Sequence, residues 1–74
     1  MTNQLTACVR ILVNGEPFTC PEGSSLMGIL GILGLQPDRV AIEMDRAIVR
    51  KAEWANRDVS SGTQLEIVQF VGGG

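Results

Sequence analysis

The dipeptide Asn14-Gly15 sits between two short runs, VRILV (Val9 to Val13) and EPFTC (Glu16 to Cys20). Both residues tolerate positive φ, which makes Asn-Gly the strongest short-range signal for a β-hairpin. If these two form the loop, the register follows: Val13 opposite Glu16, Ile11 opposite Phe18 and Val9 opposite Cys20. Side chains alternate along a strand, so Val9, Ile11, Val13, Phe18 and Cys20 share one face, the predicted core side. Cys8 falls on the other face and is not expected to pair with Cys20. Pro17 has no N–H to give to a ladder, which places the second strand at a sheet edge.

The apolar face of such a hairpin needs a cover, and the next segment supplies one. Pro21-Glu22-Gly23 breaks the strand, and Ser24 or Ser25 can cap a helix. Leu26, Ile29, Leu30 and Leu33 recur at spacings of three and four, one apolar stripe of a helix. Gly34 suits the left-handed position just past the helix end, with Leu35 folding back onto the last turn. Pro37 stops any continuation. Gly28 and Gly31 each weaken this helix by ~1 kcal/mol relative to alanine, so packing must hold it. Met27 and Ile32 lie off the stripe, where partial burial at the helix flanks is expected.

The remainder reads as strands. VAIEM (Val40 to Met44) half alternates, Asp45-Arg46 turns the chain, and Ala47 to Arg50 makes a short strand. Lys51 to Trp54 forms one helical turn, with Trp54 covering an end of the core. Val59, Ser61 and Gly62 lead into a last strand, Leu65 to Val71, rich in branched and aromatic residues. Gly72, Gly73 and Gly74 follow. Glycines have no side chain to pack and lose the most entropy on ordering. The expected organisation is a loose lead-in over 1–7, one domain over 8–71, and a mobile glycine tail over 72–74.

Composition narrows the functions. The chain has 74 residues and a net charge of −2, so no basic excess argues for nucleic acid. The segment Leu26 to Leu35 is too short to cross a membrane, which takes ~20 apolar residues. The uncharged start lacks the basic region of a signal peptide, and the cytoplasm is the expected compartment. With no histidine and two cysteines, neither a four-ligand metal site nor a Cys–His or Ser–His nucleophile pair can be assembled. No carboxylate pair sits in a recognisable motif. The expectation is a protein that is not itself an enzyme.

Strand, strand, helix, strand, short strand, strand, ending in glycines, resembles the α+β β-grasp fold of ubiquitin-like proteins, a mixed sheet of four to five strands with one main helix on one face. The detail resembles the thiamin-biosynthesis sulfur carrier (ThiS) family. The stretches ILVNGE, PEGSSLMGILGILGL, IVRKAEW and LEIVQFVGGG carry that likeness. Departures are Thr63, where the family often has an acidic residue, and Met27, Gly28, Gly31 and Ile32, where it usually has polar ones. The resemblance implies that the reacting group is the carboxylate of Gly74. A ThiF-like adenylyltransferase of the E1 type would activate it with ATP, no cofactor being bound by the carrier. A cysteine-derived persulfide would convert it to a thiocarboxylate, and a ThiG-like thiazole synthase would receive the sulfur. Gly72 and Gly73 would give reach. The alternatives are a carrier for molybdopterin or tRNA thiolation, or a ubiquitin-like binding module with an inert tail. A β-grasp iron–sulfur protein is excluded, since it needs four thiolates.

One helix covers only one side of the sheet. If Leu65 and Ile67 face the helix, Val68 and Phe70 point the other way, and by the hairpin register so does Leu12. Val68, Phe70 and Leu12 are therefore expected partner-binding residues, and Val71, next to the tail, is expected to join them.

Overall fold

The structure is a computed structural model and describes residues 7–70. The first strand β1 (Cys8–Val13) turns through Asn14-Gly15 into β2 (Glu16–Pro21). The register pairs Val13 with Glu16, Ile11 with Phe18 and Val9 with Cys20, as the loop length requires. Asn14 and Gly15 have φ of 52° and 84°, the two positive values that a type I′ turn demands. The pair closing a two-residue loop is hydrogen bonded, so the next pair, Leu12 and Pro17, is not, and the proline nitrogen points away from β1. β2 is indeed an edge strand.

The helix α1 (Leu26–Leu33) is built as its ends predict. Ser25 Oγ accepts from the Gly28 N–H at 3.0 Å. The N–H groups of Leu26 and Met27 go to the carbonyls of Arg57 and Trp54, so a distant loop completes the cap. At the other end Gly34 has φ 73° and donates to Gly31, while Leu35 donates to Leu30, which closes a Schellman motif. Eight residues make a marginal helix alone. Leu26, Ile29 and Leu30 are almost fully buried, and each contributes about 1.5–3 kcal/mol, enough to outweigh the two internal glycines.

A 3-10 turn over Pro37–Arg39 leads into β3 (Val40–Met44), and Asp45-Arg46 returns the chain as β4 (Ala47–Val49). A second 3-10 turn, Lys51–Glu53, precedes the last strand β5 (Gln64–Gln69). The sheet order is β2-β1-β5-β3-β4, with β1 and β5 parallel and the other pairings antiparallel. The first and last strands thus lie together in the middle. Ile11, Cys20, Ile42, Val49, Leu65 and Ile67 face α1 in one core. Val9, Val13 and Phe18 are only partly buried against it.

Three expectations need correction. β5 ends at Gln69 and leaves Phe70 outside the strand, because its neighbour β3 begins at Val40, the partner of Gln69. The short strand ends at Val49, before Arg50. Met27 is partly buried, but Ile32 is 55% exposed. The two lie at similar angles from the apolar stripe. Met27 packs against the core cluster, and its N–H bonds the Trp54 carbonyl, whereas Ile32 is not among the residues packed against that core. Of the expected lead-in only Ala7 is described, and Val71, Gly72, Gly73 and Gly74 lie outside the described residues.

Candidate functional site

The sheet face opposite α1 is open. Along β5, Leu65 and Ile67 turn into the core, and Glu66 and Val68 turn out, with Phe70 following on the same side. Val68 is 58% exposed and Phe70 56%. Val68 stands opposite Ala41 of β3. The sequence reading missed Ile48, which at 77% is the most exposed large apolar residue described. The alternation in β4 carries the signal, since Val49 is buried and its neighbour must point out. Leu12 lies on the same face but is only half-buried, and it pairs with Gln64 at the start of β5. Six residues of strand, about 20 Å, therefore separate it from Phe70. The structure groups Val68 and Phe70 near the tail end, and leaves Leu12 at the far end.

Between these apolar positions the face is acidic. Glu43 and Glu66 are directly opposite one another, both exposed. Like charges so placed destabilise a strand pair. Among the described residues neither carboxylate is in an ion pair. A cation brought close to the two carboxylates would relieve that repulsion.

The strand end is pinned before the chain leaves the described region. The Phe70 N–H donates to the Arg39 carbonyl at 2.8 Å. Phe70 lines two open grooves of about 410 and 360 Å³. One is shared with Gly34, Leu35 and Gln36, the other with Pro37, Ala41 and Ile48. Phe70 is thus accessible from two sides at the base of the tail.

Apart from the exposed Ile48, the IVRKAEW stretch contributes structural contacts through Trp54 and Lys51. Trp54 is 2% exposed, and its Nε1–H donates to the Val49 carbonyl at 2.9 Å, which satisfies the indole inside the core. Lys51 pairs with Asp38 on the surface. The hydrogen bond from Lys51, then its charge, holds the Asp38 carboxyl below the usual carboxylate range. Cys20 is buried and Cys8 exposed on the opposite face, with no disulfide between them. Among the described residues no three His, Cys, Asp or Glu side chains are grouped to hold a metal ion.

The comparisons with known proteins agree with this geometry. The ThiS family model matches residues 11–74. A thiazole synthase of Magnetococcus marinus is 36% identical over 66 residues, 89% of this chain and 20% of the relative. A thiazole synthase of Paramagnetospirillum magneticum matches to the same extent, so the chain spans about a fifth of the length of these two relatives. The sulfur carrier protein ThiS of Escherichia coli is 27% identical over 89% of this chain and 100% of its own length. The crystal structure of the thiamine biosynthesis protein ThiS from Geobacter metallireducens superposes with a TM-score of 0.77 at 26% identity, covering 89% of this chain and 100% of that one. The β-grasp architecture is thereby established, and because the family match covers most of the chain and runs through its final glycines, the protein belongs to the ThiS family.

Proposed function

We propose that this protein is a sulfur carrier of thiamin biosynthesis whose working group is the carboxylate of Gly74. The observation that carries the reading is the family match, which continues past the folded strand to residue 74. A carboxylate is anionic and offers no good leaving group, so it needs activation. An E1-like partner transfers AMP from ATP onto it and releases pyrophosphate. The outer sulfur of a persulfide then attacks the acyl carbon and AMP departs. A second thiol then attacks the donor's sulfur in the acyl disulfide, which releases the thiocarboxylate and leaves a disulfide between the two thiols for a dithiol reductant to reopen. That soft nucleophile delivers sulfur to thiazole synthase, a partner supported by the two thiazole synthase relatives that share this region. Catalysis belongs to the partners, and the carrier brings no metal or cofactor. No described helix is long and apolar enough to cross a membrane, and we place the chain in the cytoplasm.

The open face serves as the docking surface, with Val68 and Phe70 at the end of β5 and Leu12 at the far end; Val71, outside the described residues, is the next candidate contact along the chain. Activating enzyme and sulfur acceptor use the same face and so take turns. Gly72 and Gly73 let the carboxylate reach a narrow active site, because a chain without side chains fits where others clash. The test is to express the chain with its genomic neighbours and measure its intact mass. Exchange of one oxygen for sulfur is expected, and it should vanish when Gly73 and Gly74 are deleted. A truncated chain that still consumes ATP with the activating enzyme would refute the assignment.

A further inference from the structure

β1 gives β5 only two register pairs, Leu12 with Gln64 and Val13 with Leu65, before the hairpin turns away. The Asn14 N–H still reaches the Leu65 carbonyl at 2.8 Å. Beyond that point, among the described residues, no strand bonds the β1 side of β5, and the Asn14 side chain takes over. Its Oδ1 accepts from the Ile67 N–H at 2.7 Å, and its Nδ2 donates to the Ile67 carbonyl at 3.2 Å. The amide is one further rung of the ladder, made by a side chain in place of a backbone. Few residues can supply it: a carboxylate lacks the donor, and an aliphatic side chain lacks both groups. Asn also tolerates the left-handed φ of 52° that the turn imposes. Asp45, the matching residue of the second hairpin, grips the start of β5 from the other side, through Gln64. Among the described residues, Asn14 is the one whose side chain bonds β5 on the β1 side, at Ile67.

We infer that Asn14 is a positioning residue for the chemistry at Gly74, because it fixes the base from which the C-terminal segment leaves the sheet. The inference rests on the carrier function proposed above. Without the rung, the end of β5 frays on one side, and the carboxylate samples more positions in the partner's active site. Misplacement of reacting atoms is costly to rate. Docking is less affected, since β5 keeps its pairing with β3, so the loss falls on turnover.

Two variants of the full chain test this. Asn14→Gly keeps the positive-φ turn unstrained and removes the amide. Asn14→Asp keeps the acceptor for the Ile67 N–H and loses the donor. Residue-resolved hydrogen exchange and ATP–pyrophosphate exchange with the activating enzyme are measured on both. In Asn14→Gly the Ile67 N–H should exchange roughly tenfold faster while buried core amides such as Ile42 stay put. The kcat should fall about tenfold, with KM for the carrier within about twofold. Asn14→Asp should retain Ile67 protection and lie between wild type and Asn14→Gly in kcat. Unchanged Ile67 exchange in Asn14→Gly would show that the amide is no rung. Faster exchange with unchanged kcat would make Asn14 structural only. Absence of pyrophosphate exchange with the wild-type chain would overturn the proposed function and the positioning role together, while the hydrogen-exchange result would still report on the rung.

Discussion

Gly31 and Gly34 lie three residues apart, and the same substitution should move stability in opposite directions. Gly31 is exposed inside α1, its φ is not in the left-handed region, and an added Cβ would meet nothing within 4 Å. Gly31→Ala therefore gains helix propensity and loses no contact, a stabilisation of about 1 kcal/mol. Gly34 also has open space around a Cβ, but its φ is 73°. Alanine in that conformation costs about 1–2 kcal/mol, partly offset by about 0.4–1 kcal/mol from a stiffer unfolded chain. The net for Gly34→Ala is a loss of about 1 kcal/mol. For a domain of this size, 1 kcal/mol moves the melting temperature by about 4–8 °C. Thermal melts by circular dichroism and urea titrations should place Gly31→Ala above wild type and Gly34→Ala below it. ATP–pyrophosphate exchange should be unchanged in Gly31→Ala, since the helix covers the face away from the proposed docking surface. If both variants shift the same way, backbone conformation does not govern this helix end. If Gly31→Ala is the destabilised one, the outer face of α1 is covered and the one-sided core is wrong.

Four further outcomes are expected. Phe70→Ala should weaken binding to the activating enzyme by about 1–3 kcal/mol and cost about 1 kcal/mol or less in folding, the ring being half exposed; a large melting drop with unchanged affinity would make Phe70 a core residue. Trp54→Phe removes the donor to the buried Val49 carbonyl and should cost about 2 kcal/mol by urea unfolding, and a negligible change would remove the indole as an anchor. Cys8→Ser should leave thiocarboxylate yield and stability intact, whereas Cys20→Ser should lower stability alone; lost transfer in Cys8→Ser would give that thiol a chemical role. By NMR titration Asp38 should ionise below the ordinary aspartate range, so any stabilisation is present above that range and fades as pH falls through the lowered value. Lys51→Met should raise the midpoint, and an unmoved midpoint would show that the pair does not persist in solution.

Much of this architecture was legible in the sequence where the causes are local. The hairpin register follows from two residues that accept positive φ, the helix limits from Ser25 and Gly34, and the core stripe from the spacing of Leu26, Ile29 and Leu30. Each of these depends on groups within about four positions along the chain, so pattern alone reaches them. The alternation of β5 likewise placed Val68 and Phe70 on the open side.

Other features depend on which elements become neighbours. The parallel pairing of β1 with β5 joins residues about fifty positions apart, and no local signal sets it. That pairing gives Asn14, legible only as a turn residue, its bonds to Ile67. The start of β3 decides that β5 ends at Gln69. Tertiary packing partly buries Met27 against the core, while Ile32 is left exposed at a similar helical angle. Strand order likewise sets Leu12 about 20 Å from Phe70 and brings Glu43 against Glu66. Periodicity says which way a side chain points, but only the tertiary arrangement says what it meets there.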